Sequence, residues 1–341
     1  MFKKTINYMN ELVETKKIPG ISFAFITKEK IDSGLLGLKQ IVPDVEILEE
    51  NTLYDMASLT KVICTTTIVL KLIEEDKVDI DTPLHHYLPE FLDEKVTIRE
   101  LLTHTSDINP YIPNRDQLNQ DELKSAILAL KSGRKKGEKC AYTDTGTVLL
   151  GFLIEEFYKK SVHEVFKEEV LLPLEMTASG FTQLDLNKVA PTEMTEKRGL
   201  IKGQVHDPKA FVLAEHCGSA GLFSTLSDVI KFSEMLLNKG KYKDKLFLSE
   251  KTVENLSQNY SPKSDKARSL GWDLIEYENR YLLYHTGYTG TFMILDILAK
   301  EGFIFLSNRV HPVDRRDDYL KVRDKLVNIY LAERQEKEKM L

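Results

Sequence analysis

The sequence predicts an α/β (α+β) fold: an antiparallel sheet flanked by N- and C-terminal helices, with a large, mostly helical subdomain inserted between its two halves. Three observations carry this. Short β-rich runs cluster near the two ends of the chain, amphipathic helical patterns open and close it, and the long middle is mostly helical in period.

Residues 5–17 (TINYMNELVETKK) show an amphipathic helical pattern that Pro19-Gly20 stops. Ile21–Thr27 and Ile31–Leu36 then read as a β-hairpin around Lys28-Glu29-Lys30. Helices are expected at 58–75, 97–103, 120–130, 145–158, 162–170 and 226–238. The last third changes character. Residues 281–285, 291–298 and 303–307 are β-rich and separated by Gly287, Gly290 and Gly302, which predicts an antiparallel meander. A charged helix from Arg315 to the C-terminus sets Tyr319, Leu320, Val322, Leu326, Ile329 and Tyr330 against the sheet, and its last residues, ERQEKEKM, are expected to fray. With no repeat or long linker, residues 1–341 read as one catalytic unit: an α/β subdomain from 1–57 and 268–341, and a mostly helical subdomain of 58–267.

The composition narrows the function. A chain of 341 residues that is 42% hydrophobic builds a sizeable core. Its net charge of −6 comes from acidic and basic residues interspersed, which excludes a nucleic-acid surface. The one basic run, Lys131 to Lys139, reads as a solvated loop. Three widely spaced cysteines (Cys64, Cys140, Cys217) argue for a reducing compartment, with Cys64 in a helix core. No apolar run reaches membrane-spanning length and the N-terminal pattern has no signal-peptide apolar region, so a cytoplasmic location is expected. His85, His86, His163, His206 and His216 lack metal-ligand spacing, Asp207 and Glu215 read as loop charges, and His104 as structural, so neither metal nor cofactor is expected.

The chemistry centres on Ser58-Leu59-Thr60-Lys61. A serine near the first turn of an apolar helix shares a face with the lysine three residues on, which reaches the hydroxyl and accepts its proton if its surroundings hold it neutral. First-turn amides also point at developing negative charge. Alone the pattern is weak, because a second copy occurs by chance at Ser132-Gly133-Arg134-Lys135, in a polar stretch that reads as a loop.

Two more segments change its weight: Ala141-Tyr142-Thr143-Asp144-Thr145-Gly146 before a leucine-rich helix, and Tyr284-His285-Thr286-Gly287-Tyr288-Thr289-Gly290 at the edge of the meander. With the Ser58 segment they resemble, in order and spacing, the three motifs of serine β-lactamases and penicillin-binding proteins, specifically the class C β-lactamase and D,D-peptidase branch. Leu101-Leu102-Thr103-His104-Thr105-Ser106, Pro173-Leu174-Glu175-Met176 and Ser219-Ala220-Gly221-Leu222-Phe223-Ser224-Thr225 are similar to further segments of that family. The resemblance implies a β-lactamase/transpeptidase-like fold and a serine hydrolase acting through an acyl-enzyme on Ser58.

In that resemblance Lys61 and Tyr142 manage the proton, the phenol becoming a base where a cation such as Lys61 favours its ionised form. Asp144, His285, Thr286, Gly287 and Tyr288 bind substrate, and the backbone amides of Ser58 and Tyr288 form the oxyanion hole. Gly287 lets the substrate lie close against its strand. His285 replaces the lysine of the commoner third motif, making a permanent cation one that titrates between pH 5 and 8. Asp144 replaces asparagine, so it accepts hydrogen bonds but does not donate them, and it raises the pKa of Lys61, shifting the burden of base to Tyr142. The expected substrate is a small-molecule or short-peptide acyl donor (ester, amide or D-amino-acid peptide), with a covalent β-lactam adduct within its chemistry. The alternatives are a non-catalytic binder of peptidoglycan fragments or D-peptides, and a true D,D-carboxypeptidase or β-lactamase.

Overall fold

Alternation along one strand sets the centre of the molecule. In Gly20–Ile26, Ile21, Phe23 and Phe25 point to one side and Ala24 and Ile26 to the other, and both sides are buried. The computed structural model describes residues 2–262 and 266–339. In chain order it runs through α1 (Lys3–Glu14), β1 (Gly20–Ile26), β2 (Ile31–Gln40) and β3 (Glu46–Ile47). A helical stretch follows: a π-helical segment at Lys61–Thr66 leading into α2 (Thr67–Glu74), then α3 (Ile98–Leu102), α4 (Gln120–Leu128), α5 (Thr145–Tyr158), α6 (Pro208–Leu213) and α7 (Leu226–Leu237), with shorter turns between. The chain returns through β4 (Asp273–Tyr277), β5 (Arg280–Gly287), β6 (Thr291–Asp296), β7 (Glu301–Ser307) and α8 (Arg316–Glu338).

The sheet has seven strands in the order β4-β5-β6-β7-β1-β2-β3, every pair antiparallel. β1 joins the two ends of the chain, with Ile21 opposite Ser307 on one side and Leu36 on the other. On one face Phe23, Phe25, Phe292, Phe303 and Phe305 pack with Met9 and Leu12 of α1 and Leu326 and Tyr330 of α8. On the other face Ala24, Met293, Ile304 and Leu306 join the core of the helical stretch.

The predicted hairpin, meander and major helices are all present, with three differences. The fraying expected at the end of α8 does not occur over residues 333–338; Met340 lies outside the described residues. Glu333 accepts the N–H of Lys4 and of Thr5, both at 2.9 Å, and the Thr5 hydroxyl at 2.8 Å, capping the open end of α1. Arg334 is buried and pairs with Asp296 at 2.6 Å, so both residues are fixed by tertiary contacts. The helix expected from residue 58 is π-helical over Lys61–Thr66, where the Thr67 hydroxyl donates to the Val62 carbonyl at 3.0 Å and the Thr65 hydroxyl to that of Gly218. Strand β4 had no clear signal: Leu274 and Ile275 sit side by side between charges, the weak alternation of an edge strand.

Candidate functional site

The serine turn is built by a buried carboxylate. Tyr54–Asp55 pairs with Phe223–Ser224, and Asp55 then accepts the Ala57 N–H at 2.8 Å through Oδ1 and the His206 N–H at 2.7 Å through Oδ2. One side chain thus ties the turn before Ser58 to the 206–208 loop. Ala57 takes a left-handed φ of 45°. Such a backbone persists only when its surroundings hold it, and the Asp55 bond does so directly before the serine. Burial pushes the Asp55 carboxyl above its usual range.

Lys61 lies under Ser58 with its side chain 1% exposed. Its Nζ makes three short contacts: Ser58 Oγ at 2.7 Å, the Ser219 carbonyl at 2.9 Å and Asp144 Oδ1 at 2.8 Å. An ammonium has three hydrogens and these are its three acceptors. Burial works against that charge, but the Asp144 carboxylate outweighs it and holds the ammonium above the ordinary lysine range. Asp144 also accepts Lys209 Nζ at 2.5 Å on its second oxygen. Burial would raise its carboxyl, yet the two ammonium groups hold it well below the usual carboxylate range. The effect of Asp144 on Lys61 therefore runs in the expected direction, favouring the ammonium over a neutral lysine.

Tyr142 stands over this pair, 46% exposed, its ring 5.6 Å from Lys61 Nζ and 5.4 Å from the Arg268 guanidinium. His104 packs on the same ring at 4.5 Å. It is buried, as the structural reading requires, and burial together with Arg268 and Lys61 holds its imidazole neutral.

Ser58, Tyr142, Asp144 and Tyr288 meet around a cavity of about 300 Å³, completed by Ala57, His206, Asp207, Pro208 and Ala220. His285, Thr286 and Gly287 end β5 behind this wall and are not among its lining residues. The expectation that His285 titrates between pH 5 and 8 is corrected. The side chain is buried between Tyr142 and Trp272, and burial plus the charges of Arg268 and Lys61 push its pKa well below the usual histidine range.

The reason given for Gly287 is also corrected. A Cβ there would meet Thr291 Oγ1 at 2.2 Å and the Met56 carbonyl at 2.5 Å, so the missing side chain lets β5 pack on the serine turn. Gly290 N–H donates to the Gly287 carbonyl at 3.1 Å, closing a tight turn. In a trans peptide that carbonyl and the Tyr288 N–H point opposite ways, so Tyr288 N–H is aimed out of the turn. Among the described residues neither Ser58 N–H nor Tyr288 N–H has a hydrogen-bond partner.

Sequence reading alone missed the outer wall. His206 and Asp207 line the cavity rather than an idle loop, His206 stacking on Tyr288 with ring centres 5.5 Å apart and bonding Glu193 at 3.0 Å. Asp207 caps α6 through the Ala210 N–H at 2.8 Å, and Asp207-Pro208 is the helix-start signal that marks the place. Arg309 donates to the Tyr288 carbonyl at 2.9 and 2.6 Å and pairs with Asp314, which accepts the Tyr288 hydroxyl at 2.5 Å. The second serine-lysine pair is a loop, as expected: the Ser132 hydroxyl donates to Asp93 at 2.7 Å. Among the described residues no histidine, cysteine or carboxylate cluster suits a metal, and no helix is long and apolar enough to cross a membrane.

Comparison with known proteins places the chain in a family. A profile of the Beta-lactamase family matches residues 6–326. A putative D-alanyl-D-alanine carboxypeptidase of Escherichia coli (strain K12) is 29% identical over 304 residues, covering 76% of this chain and 70% of that protein. An N-acetylmuramyl-L-alanine amidase of Bacillus subtilis (strain 168) is 26% identical over 310 residues, covering 77% and 69%. Among solved structures, a class C beta-lactamase superposes with a TM-score of 0.78 at 18% identity over 96% of this chain and 95% of that one. EstCE1, a hydrolase with promiscuous acyltransferase activity, superposes at 0.75 with 18% identity over 95% and 97%. The fold is that of the class C enzymes, and with the profile matching nearly its whole length this chain belongs to the beta-lactamase family.

Proposed function

We propose that the protein is a serine hydrolase that works through an acyl-enzyme on Ser58. The observation that carries this reading is the Lys61 ammonium, whose three hydrogens are shared among Ser58 Oγ, the Ser219 carbonyl and Asp144 beneath an open cavity. Because Ser58 Oγ accepts from Lys61, its own proton points elsewhere. Tyr142, flanked by Lys61 and Arg268, is the group suited to take it. Attack on the acyl carbon places negative charge on the carbonyl oxygen, and the unpartnered N–H groups of Ser58 and Tyr288 supply the oxyanion donors. The proton passes to the leaving group as its bond to the acyl carbon breaks, and water then cleaves the ester to Ser58.

The names of the carboxypeptidase and amidase relatives support amides and D-amino-acid peptides as the substrate class, and esters and a covalent β-lactam adduct fall within the same acyl-transfer chemistry. The three unpaired cysteines support action in a reducing, cytoplasmic compartment.

Side-by-side assays with p-nitrophenyl acetate, a chromogenic cephalosporin and D-alanyl peptides, together with a fluorophosphonate label, test the reading. Ser58-dependent turnover or labelling is expected, and Ser58→Ala should lower it by at least about 10³-fold. Undiminished labelling in that variant sinks the assignment.

A further inference from the structure

Lysines and arginines surround the Ser58 cavity, but each is turned into the protein rather than toward the cavity. Lys61 has spent its three hydrogens and Lys209 is paired with Asp144. Arg268 lies buried behind Tyr142 and is paired with Asp273 at 2.9 Å, and Arg309 is held by Tyr288 and Asp314. Arg198 donates to the carbonyls of Val205 and His206. None of them lines the cavity. His285, at the motif position where a lysine is commoner, is buried and does not line the cavity. Among the described residues no lysine or arginine lines the cavity, so an acyl donor ending in a free carboxylate meets no permanent cation there.

What the cavity offers instead is an acid. Asp207 lines it, half-buried, with Oδ1 on the Ala210 N–H and Oδ2 without a partner among the described residues; neither oxygen enters an ion pair. Tyr142 and Tyr288, 46% and 43% exposed, set two aromatic rings on the same cavity. A carboxylate with a free oxygen in a cavity that no lysine or arginine lines attracts an ammonium by charge.

We propose that the acyl group delivered to Ser58 carries a free ammonium bound by Asp207. The substrate class is then amino-acid esters and amides, including peptides whose acyl residue has a free amine. The inference rests on the reading of Ser58 as nucleophile. The bond made is Ser58 Oγ to the aminoacyl carbon, the bond broken is that carbon to the alcohol or amine, and the serine proton leaves with that group.

The test is a matched series of alanine p-nitroanilides, in both enantiomers: free amine, N-acetyl and N-succinyl, with p-nitrophenyl acetate as an amine-free reporter. The free amine is expected to exceed the N-acetyl compound in kcat/KM by about tenfold, as a charge-assisted contact supplies, with N-succinyl lowest. Asp207→Asn and Asp207→Ser both keep an oxygen to cap α6, so both should fold, and both should bring that ratio close to one. Equal or better turnover of the N-acetyl or N-succinyl compound, or a ratio unmoved in both variants, overturns the ammonium site. If p-nitrophenyl acetate turnover meanwhile disappears in Ser58→Ala, the nucleophile stands and only the substrate class has failed. Absence of Ser58-dependent turnover or labelling with every substrate overturns both.

Discussion

At the scale of single residues, the pairing of Lys61 with Asp144 decides how the site is charged. In a family pattern with asparagine at this position a neutral amide would touch the lysine; here a carboxylate holds two ammonium groups and keeps Lys61 charged. The expected result of Asp144→Asn follows from the sign. Burial then acts on Lys61 with less opposition, its pKa falls, and kcat/KM gains an alkaline limb that the wild type lacks in the measurable range. The amide N–H can also donate to a substrate carbonyl, so acylation by a chromogenic cephalosporin should rise. Stopped-flow acylation across pH reads both effects, and an unchanged profile would show that Asp144 does not set the charge of Lys61. These residues were legible because each belongs to a short ordered segment: Ser58 and Lys61 three apart, Tyr142 and Asp144 before a helix, Tyr288 after His-Thr-Gly. Lys209, Asp207 and Arg309 were not. Asp207 and Lys209 reach the site from the start of α6 and Arg309 from the segment after β7, and nothing local marks a lysine that answers a carboxylate 65 residues away.

At the scale of elements, the β5–β6 turn is positioned from two sides. Met56 and Thr291 press on Gly287 from within, and a Cβ at Gly290 would collide with Arg309 Cγ at 2.5 Å, so its absence lets that side chain through to the Tyr288 carbonyl. Arg309 acts as a positioning residue. Arg309→Lys removes the two-pronged grip on Tyr288 and the planar link to Asp314. It is expected to lower kcat about tenfold with KM nearly unchanged, because a displaced oxyanion donor is felt chiefly in the transition state. A rise in KM with kcat intact would place Arg309 in substrate binding instead. The helix-packing elements were read well, since caps such as Thr97 with Glu100 and Asn119 with Glu122 are written locally. The end of α8 was misread for the opposite reason: besides the local Arg334–Glu338 pair, the charges that suggest fraying find partners on α1 and the sheet, more than 30 residues distant.

At the scale of the whole molecule, buried histidines govern the acid limb of stability. His104, His285 and His311 are held below the usual histidine range by burial first, and His163 is pushed down to about 4 for the same reason. The unfolded chain protonates them near ~6.5, so below that pH it binds more protons than the fold and stability falls as pH drops toward the folded values. Each such histidine costs about 1.4 kcal/mol per pH unit in this window. Asp55 and Glu234, whose carboxyls burial raises, work in the opposite direction but are two groups against four. Urea midpoints should decline from pH 7 to pH 5, and His163→Gln should flatten the slope; a flat wild-type profile would contradict the burial of these rings. The order of the sheet has a consequence for how the chain is made. β1 is an interior strand whose second neighbour, β7, is encoded 286 residues after it, Ile21 against Ser307. During synthesis the first hairpin leaves the ribosome with one edge unpaired and waits while the helical stretch collapses on itself. Closure of the sheet is a non-local step that carries the entropy of joining partners 286 residues apart. Until then Phe23 and Phe25 have no cover, and that interval is when the protein is most exposed to aggregation.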